Sequence, residues 1–113
     1  GLAEAVAVLG RELRQAGLPY VRGTGGLFLW VDLSRHLDEP TVAAETRLYK
    51  AILNECNVNL TPGTAFHSPQ PGWFRFIFTY APLDTMRVAV RRIAALLADK
   101  PRLQRALEHA RKA

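Results

Sequence analysis

The feature that most constrains this chain is the stretch Gly72–Tyr80, which reads GWFRFIFTY and contains five aromatic residues. Its aromatic content and the prolines on either side of it, Pro71 and Pro82, are typical of a β-strand. Because side chains alternate between the two faces of a strand, one face carries Phe74, Phe76, Phe78 and Tyr80. The other face carries Trp73, Arg75, Ile77 and Thr79, and Arg75 is the only charged residue of the stretch.

Arg75 needs a partner because its guanidinium group is always charged and offers five N–H donors in a planar fork. On an apolar strand the partner is a protein carboxylate, water or a bound anion, and the fork matches the two oxygens of a carboxylate. The residues alone leave two interpretations open. Arg75 points to solvent from the wet face of an antiparallel sheet, which the pattern by itself favours, or it binds an anion.

The length and composition limit the chain to a single folded domain. Its 113 residues, 49% of them hydrophobic, are enough for one core, and no apolar run approaches the ~20 residues that a membrane helix needs. The single cysteine, Cys56, allows no internal disulfide, and no Cys/His cluster has metal-ligand spacing, so we expect a reducing, cytoplasmic location. The sequence opens inside a helical pattern without a signal peptide, and we expect the natural chain to begin upstream of Gly1.

The net charge of +5 raises a second class of function, a basic α+β module that binds nucleic acid or another anionic partner. Aromatic residues on a sheet with flanking arginines are compatible with such a module. The excess positive charge, however, lies on predicted helices near the C-terminus, from Arg87 to Lys112, and no glycine–aromatic motif of an RNA-binding sheet is present. We therefore predict a solvated basic face, or a contact with another domain, and expect no nucleic-acid partner.

The order of the predicted elements indicates the fold class. Periodic apolar residues predict helices over residues 2–16, 41–55 and 83–98, and a last basic helix over 103–111. Strand-like segments cover residues 18–21, 27–33, 58–61 and 72–80, and the glycines of 23–26 form a turn. Because the strands follow one another in pairs, we predict an α+β two-layer sandwich, with helices packed on a mainly antiparallel sheet of about four short strands. The predicted domain covers residues 1–98, and residues 99–113 form an additional basic helix.

Single residues within these elements carry finer predictions. Residues 27–33 are nearly all apolar, which favours a central strand covered on both faces. Thr41 or Asp38 is the N-terminal cap of the second helix, whose buried stripe is predicted to contain Ala44, Leu48, Ala51, Ile52 and Glu55. Cys56 is predicted to be a small packed residue and not a nucleophile. His36 is assigned to the surface, and His67 is a loop histidine without a partner that would make it a base.

Three segments taken together resemble a known family. They are Gly25–Leu33 (GGLFLWVDL), Asn57–Phe66 (NVNLTPGTAF) and Pro71–Phe76 (PGWFRF). In this order and spacing they resemble the C-terminal small domain of fold-type-I pyridoxal-phosphate enzymes, and within them the 1-aminocyclopropane-1-carboxylate synthase-like branch of the class I and II aminotransferases. The resemblance covers residues 2 to about 97 and does not extend to the last helix.

The resemblance implies a substrate-binding role for four residues. Arg75 occupies the position of the arginine that holds the α-carboxylate of the amino-acid substrate, a role that suits its rigid fork. Gly26, and with it Gly25, occupies the place where the substrate approaches the backbone, and Phe28 is expected to line the site. No catalytic, cofactor-binding or metal-binding residue is expected within this chain.

The resemblance also implies that the cofactor chemistry belongs to another part of the enzyme. In the family, the lysine that forms a Schiff base with pyridoxal 5'-phosphate lies in a large domain, which would precede Gly1. Lys50, Lys100 and Lys112 fall in helical segments and do not match the motif of that lysine. We therefore expect pyridoxal phosphate in the complete enzyme, with an upstream large domain and a homodimeric partner. The isolated chain is expected to be inactive and to expose an apolar patch where the large domain would dock. The reaction is left open between transamination and elimination with cyclisation.

Overall fold

A computed structural model of the chain describes residues 1–23, 28–66, 68, 70–77 and 82–112. The helices are α1 (Leu2–Gln15), α2 (Val42–Cys56), α3 (Leu83–Ala98) and α4 (Lys100–Lys112). The strands are β1 (Tyr20–Arg22), β2 (Phe28–Asp32), β3 (Thr61–Pro62) and β4 (Trp73–Ile77). Two short 3-10 turns cover Ser34–His36 and Gly63–Phe66. None of the helices in the described part of the chain is long and apolar enough to cross a membrane.

The four strands form one antiparallel sheet in the order β1-β2-β4-β3, which confirms the predicted α+β fold. The β1–β2 hairpin is closed by the Gly23 amide, which donates to the Phe28 carbonyl at 2.9 Å. The residues of its turn, 24–27, lie outside the described part. In the register of the inner strands, Trp30 of β2 and Thr61 of β3 both lie opposite Arg75 of β4. Arg75 is therefore flanked by a neighbour on each side.

Among the described residues, the helices cover one face of the sheet. Its side chains, Leu29, Val31, Phe74 and Phe76, are buried in a core shared with α1, α2 and α3. On the opposite face, the open face, Phe28 and Trp30 are half-buried and Ile77 is exposed. The alternation predicted for residues 73–77 is confirmed, and residues 78–80 lie outside the described part. The prediction that residues 27–33 are covered on both faces is wrong, because the apolar side chains of one face pack against rings and not against a helix layer.

The buried stripe of α2 lacks one residue that was predicted, Glu55, and contains one that was not, Glu45. Glu55 is exposed, and its carboxylate pairs with Arg102 at 2.9 Å, so its place in the predicted stripe is wrong. Glu45 is buried instead, in the same stripe as Ala44, Leu48, Ala51, Ile52 and Cys56. A carboxylate enters a core only where donors satisfy it. Thr41 is confirmed as the cap, since its hydroxyl accepts from the Ala44 amide at 3.1 Å.

The last helix packs into the same core as the others. Leu103, Leu107 and Ala110 of α4 are buried, and the two leucines belong to the core cluster that includes α2 and α3. The helix begins at Lys100, three residues earlier than predicted. Pro101 lies in its first turn, where the missing amide hydrogen costs no helical bond. The division of the chain into residues 1–98 and 99–113 stays a prediction.

Candidate functional site

Arg75 lies on the open face, on an inner strand of the sheet, and it is half-buried. The Gly72-to-Ile77 sequence places it there because Phe74 and Phe76 must enter the core, which turns Arg75 to the other side. An inner strand is hydrogen-bonded on both edges, so the backbone that carries the guanidinium is held rigidly. Its position is therefore set by the fold and not by a loop.

Aromatic rings surround the guanidinium. The Cζ atom of Arg75 lies 4.0 Å from the ring centroid of Phe66 and 5.5 Å from that of Phe28. Trp30 links the two rings edge-on, at 5.6 Å from Phe28 and 6.0 Å from Phe66. Rings attract the face of a guanidinium group, whereas its N–H donors lie in the plane of the group. This arrangement holds the group while leaving in-plane donors for an acceptor.

The Nε atom of Arg75 is buried and has no hydrogen-bond partner among the described residues. Arg75 forms no ion pair with any described residue. Other arginines do form ion pairs there, for example Arg47 with Asp38 at 2.7 Å. The internal residues outside the described part, 24–27, 67, 69 and 78–81, include no aspartate or glutamate. An unpaired buried donor costs about 1–3 kcal/mol, and an anion that accepts from it recovers that cost.

A cleft of about 240 Å³ adjoins Arg75 at the β3 side of the sheet. It is lined by the segment 57–61, by residues 75–77 of β4, and by Thr85, Met86 and Ala89 of α3. The cleft combines polar side chains (Asn57, Asn59, Thr61 and Thr85) with apolar ones. A small polar molecule would match its mixed polar and apolar lining.

Below the open face, the buried Glu45 holds the segments on either side of the loop that precedes β4. Its Oε1 atom accepts from the Thr64 hydroxyl, and its Oε2 atom accepts from the Gly72 amide at 2.7 Å. Sequence reasoning missed Glu45. The signal that could have identified it is a charged residue inside an otherwise apolar helical stripe, which Glu45 forms with Leu48 and Ile52.

Of the four predicted substrate-binding residues, the structure brings Arg75 and Phe28 together. Gly25 and Gly26 lie outside the described part, as does His67. Phe66 was not predicted as a site residue from the sequence. Its ring nevertheless lies closer to the guanidinium of Arg75 than the ring of Phe28 does. Its signal was its place on a loop next to the Pro-Gly turn, where functional residues are common.

The remaining titratable candidates lie away from Arg75. Cys56 is buried, its thiol donates to the Arg92 carbonyl at 3.5 Å, and burial raises its pKa, as expected for a packed residue. His36 is half-buried and not fully at the surface, and burial, followed by the charges of Arg35 and Lys100, lowers its pKa. No group of metal-ligating side chains occurs in the part of the chain that the structure covers.

Many basic residues of the helices are paired with acidic ones. Arg91 of α3 binds Glu12 at 2.8 Å, and the Arg111 side chain of α4 lies 3.4 Å from Asp38. These ion pairs join the basic helices to acidic residues elsewhere in the fold.

Comparison with solved structures defines the fold first. The fold matches an aromatic aminotransferase from Pyrococcus horikoshii with a TM-score of 0.74 and 18% identity, covering 88% of this chain and 25% of that one. It matches an aspartate aminotransferase from Thermotoga maritima with a TM-score of 0.70 and 22% identity, covering 87% of this chain and 23% of that one. The fold is therefore one that solved aminotransferases contain as a part of their chains.

Sequence comparison then gives the family. The family model described as "Aminotransferase class I and II" matches residues 1–93, and the chain belongs to this family. It is 44% identical over 81 residues to 1-aminocyclopropane-1-carboxylate synthase 2 of Oryza sativa subsp. japonica, covering 72% of this chain and 17% of the relative. It is 40% identical over 98 residues to 1-aminocyclopropane-1-carboxylate synthase CMW33 of Cucurbita maxima, covering 87% of this chain and 20% of the relative. The chain thus spans about a fifth of the length of these curated relatives.

The residues of this chain do not fit the covalent attachment of pyridoxal phosphate. Its three lysines are Lys50 on α2 and Lys100 and Lys112 on α4, and none lies on the strands of the open face. A Schiff base requires a lysine amine at the reacting carbon. The described strands therefore place no lysine amine on the open face beside Arg75.

Proposed function

We propose that this chain is the substrate-carboxylate-binding small domain of a pyridoxal-phosphate-dependent enzyme that acts on an amino acid. Arg75 binds the α-carboxylate through its planar fork. The observation that carries the proposal is the buried Nε atom of Arg75, which has no partner among the described residues. A carboxylate that accepts two parallel N–H bonds would satisfy this donor and a neighbouring one at once.

The class of reaction follows from the relatives and stays a proposal. Relatives of the chain are 1-aminocyclopropane-1-carboxylate synthases, and structures with the same fold include aminotransferases and a PLP-bound C-S lyase from Staphylococcus hominis. We assign the complete enzyme to transamination or to synthase-like lyase chemistry. In both, the bound cofactor supplies an electron sink for charge at the substrate's α-carbon, and Arg75 orients that carbon by holding its carboxylate.

A large domain completes the enzyme in this proposal, and the complete enzyme is a homodimer. The open face supports a docking partner because it carries Val21, Phe66 and Ile77, which are 51%, 43% and 45% exposed. Exposed apolar side chains that share one face are typical of an interaction surface. Gly25 and Gly26 are proposed to let the substrate approach the backbone, and Phe28 to line the site.

The first test measures carboxylate binding by the full-length gene product with Arg75→Lys. L-alanine is the probe, and L-alaninamide, which has no carboxylate, is the control ligand. We expect the substitution to raise the Kd for L-alanine about 10- to 100-fold, because the fork is replaced by a single ammonium group and hydrogen bonds to charged groups contribute about 1.5–3 kcal/mol each. Binding of L-alaninamide should be weak in both proteins. Equal Kd values for L-alanine in the two proteins would contradict the role of Arg75.

The second test concerns the 113-residue chain by itself. We expect that pyridoxal phosphate mixed with the purified chain is removed by desalting and that no transamination is detected, since no lysine is placed to hold the cofactor. The control is the full-length gene product treated in the same way. A visible absorbance band that remains with the 113-residue chain would overturn this expectation.

A further inference from the structure

We propose that Glu45 is a positioning residue for the carboxylate site, which holds Phe66 and Arg75 in contact by fixing both ends of the loop between them. The proposal rests on the proposed function, in which Arg75 binds the carboxylate. Glu45 is the one charged side chain in the described part of the chain that is fully buried, at 1% exposure. It lies on α2, so it acts from beneath the sheet and does not itself line the cleft beside Arg75.

The two oxygens of Glu45 bind to opposite ends of one loop. Oε1 accepts from the hydroxyl of Thr64, in the 3-10 turn that ends at Phe66. Oε2 accepts at 2.7 Å from the amide of Gly72, the residue just before β4. A single rigid carboxylate therefore sets the separation between the turn that carries Phe66 and the strand that carries Arg75.

Gly72 transmits this restraint to the sheet because both its amide and its carbonyl are hydrogen-bonded and its Cα leaves no room for a side chain. Its amide binds Glu45, its carbonyl accepts from the Leu33 amide at 2.7 Å, and a Cβ atom on it would lie 2.6 Å from the Cα atom of Ser34. Its φ of +106° is a conformation that only glycine adopts without strain. The end of β2 and the start of β4 are thereby locked together, three residues before Arg75.

At the other end, the restraint reaches the guanidinium through Phe66. Thr64 and Phe66 belong to the same 3-10 turn, and the Phe66 ring lies 4.0 Å from the Cζ atom of Arg75. Phe66 is 43% exposed, so little of its own burial fixes it. The hydrogen bond from Thr64 to Glu45 is the side-chain bond that ties this turn to α2.

Position 45 requires an acceptor for the Gly72 amide and a second polar atom that can hydrogen-bond to the Thr64 hydroxyl. Glutamine can supply both, because its oxygen accepts from the Gly72 amide while its amide group donates to the Thr64 oxygen. Methionine has a similar size but neither accepts the amide hydrogen strongly nor donates to the hydroxyl. The pair Glu45→Gln and Glu45→Met thus separates hydrogen bonding from side-chain volume.

The test uses the full-length gene product and follows the Arg75 Nε–Hε NMR signal during titration with L-alanine. We expect Glu45→Met to raise the Kd at least 10-fold and to shift the Arg75 signal of the free protein. Glu45→Gln should restore the Kd to within about threefold of the natural protein. Thr64→Val, which removes one bond with little change of shape, should raise the Kd about two- to fivefold, and it serves where Glu45→Met does not fold.

The matched control is Leu48→Ala, which removes a fully buried side chain from the next turn of α2 and touches no loop hydrogen bond. It should lower the melting temperature at least as much as Glu45→Met while leaving the Kd and the Arg75 signal unchanged. If Leu48→Ala weakens binding as much as Glu45→Met, Glu45 has only a structural role and the inference is overturned. The inference also fails by itself if Arg75→Lys weakens binding and Glu45→Met and Thr64→Val do not. If Arg75→Lys has no effect, the proposed function fails first.

Discussion

At the scale of single residues, the proposed site contains Phe66 as well as Arg75. The ring and the guanidinium are 4.0 Å apart, and a cation over an aromatic face gains roughly 0.5–1 kcal/mol at a partly exposed site. Phe66 contributes this energy while leaving the in-plane donors of Arg75 unused. In the proposed function, Phe66 therefore orients the fork without occupying its donors.

Phe66→Leu keeps an apolar side chain of similar reach but removes the aromatic face. We expect the Kd of the full-length protein for L-alanine to rise about two- to fivefold, because the guanidinium loses a restraint of roughly 0.5–1 kcal/mol that holds it in one orientation before the ligand binds. Isothermal titration calorimetry with L-alanine measures this Kd. Val88→Ala, at an exposed apolar position on α3, is the control and should leave the Kd unchanged. An unchanged Kd in Phe66→Leu, with a raised one in Arg75→Lys, would show that the ring does not prepare the guanidinium.

The face on which Arg75 lies could be predicted from the sequence, whereas its contact with Phe66 and the role of Glu45 could not. The face of Arg75 follows from the alternation of a strand, because Phe74 and Phe76 can only point into the core. The ring of Phe66 and the carboxylate of Glu45 reach their partners across 9 and 27 residues of chain, from Arg75 and from Gly72. Contacts between residues so far apart in the sequence cannot be predicted from the local periodicity of apolar residues. Gly25 and Gly26 keep their roles as predictions.

At the scale of elements, α1 is connected to α3 by a charged cluster at the surface. The Glu12 carboxylate accepts two hydrogen bonds from the Arg91 side chain, at 2.8 and 3.2 Å, and lies 3.5 Å from Arg87. Hydrogen bonds from Arg91, followed by its charge and by Arg87, hold the pKa of Glu12 below its usual range. A carboxyl group with a lowered pKa in the folded state stabilises that state only while it is ionised.

We therefore expect Glu12→Gln to lower the melting temperature at pH 7. The difference should persist above the unfolded pKa of about 4.3 and vanish as the pH falls through the lower folded-state value, because the natural carboxyl group is then also neutral. Thermal unfolding of both proteins between pH 7 and pH 2 measures this. Glu108→Gln is the control, since that side chain is 60% exposed and lies 3.7 Å from Arg111. A difference that is constant with pH would show that the charge of Glu12 is not what links the helices.

Helices were predicted more closely than strands, for a physical reason. Leu83–Ala98 matches its predicted bounds, since a stripe at Met86, Val90, Ile93 and Leu97 is a local signal read over four turns. The short edge strands differ: the segments predicted at 18–21 and 58–61 are Tyr20–Arg22 and Thr61–Pro62. Their pairing depends on β2 and β4, which lie far away in the sequence.

At the scale of the whole molecule, the family and the packing divide the chain differently. The family model ends at residue 93, and residues 99–113 are predicted to be an addition to the domain. Yet Leu103 and Leu107 of this last helix belong to the same core cluster as Leu48 and Ile52 of α2. By packing, α4 is a layer over α2 and not a separate tail.

Removal of residues 99–113 tests whether α4 is a separate addition or a part of the core that stabilises the domain. The truncation removes two leucines that are 8% and 6% exposed, and burying a leucine contributes about 1.5–3 kcal/mol, so we expect the free energy of unfolding to fall by about 3–6 kcal/mol. Urea denaturation measures this change. Arg105→Ala, at an exposed position of the same helix, should be nearly neutral. A truncated chain as stable as the full chain would mean that α4 is independent of the core. The expected loss would instead mean that α4 completes the helix layer behind α2, the helix from which Glu45 holds the site.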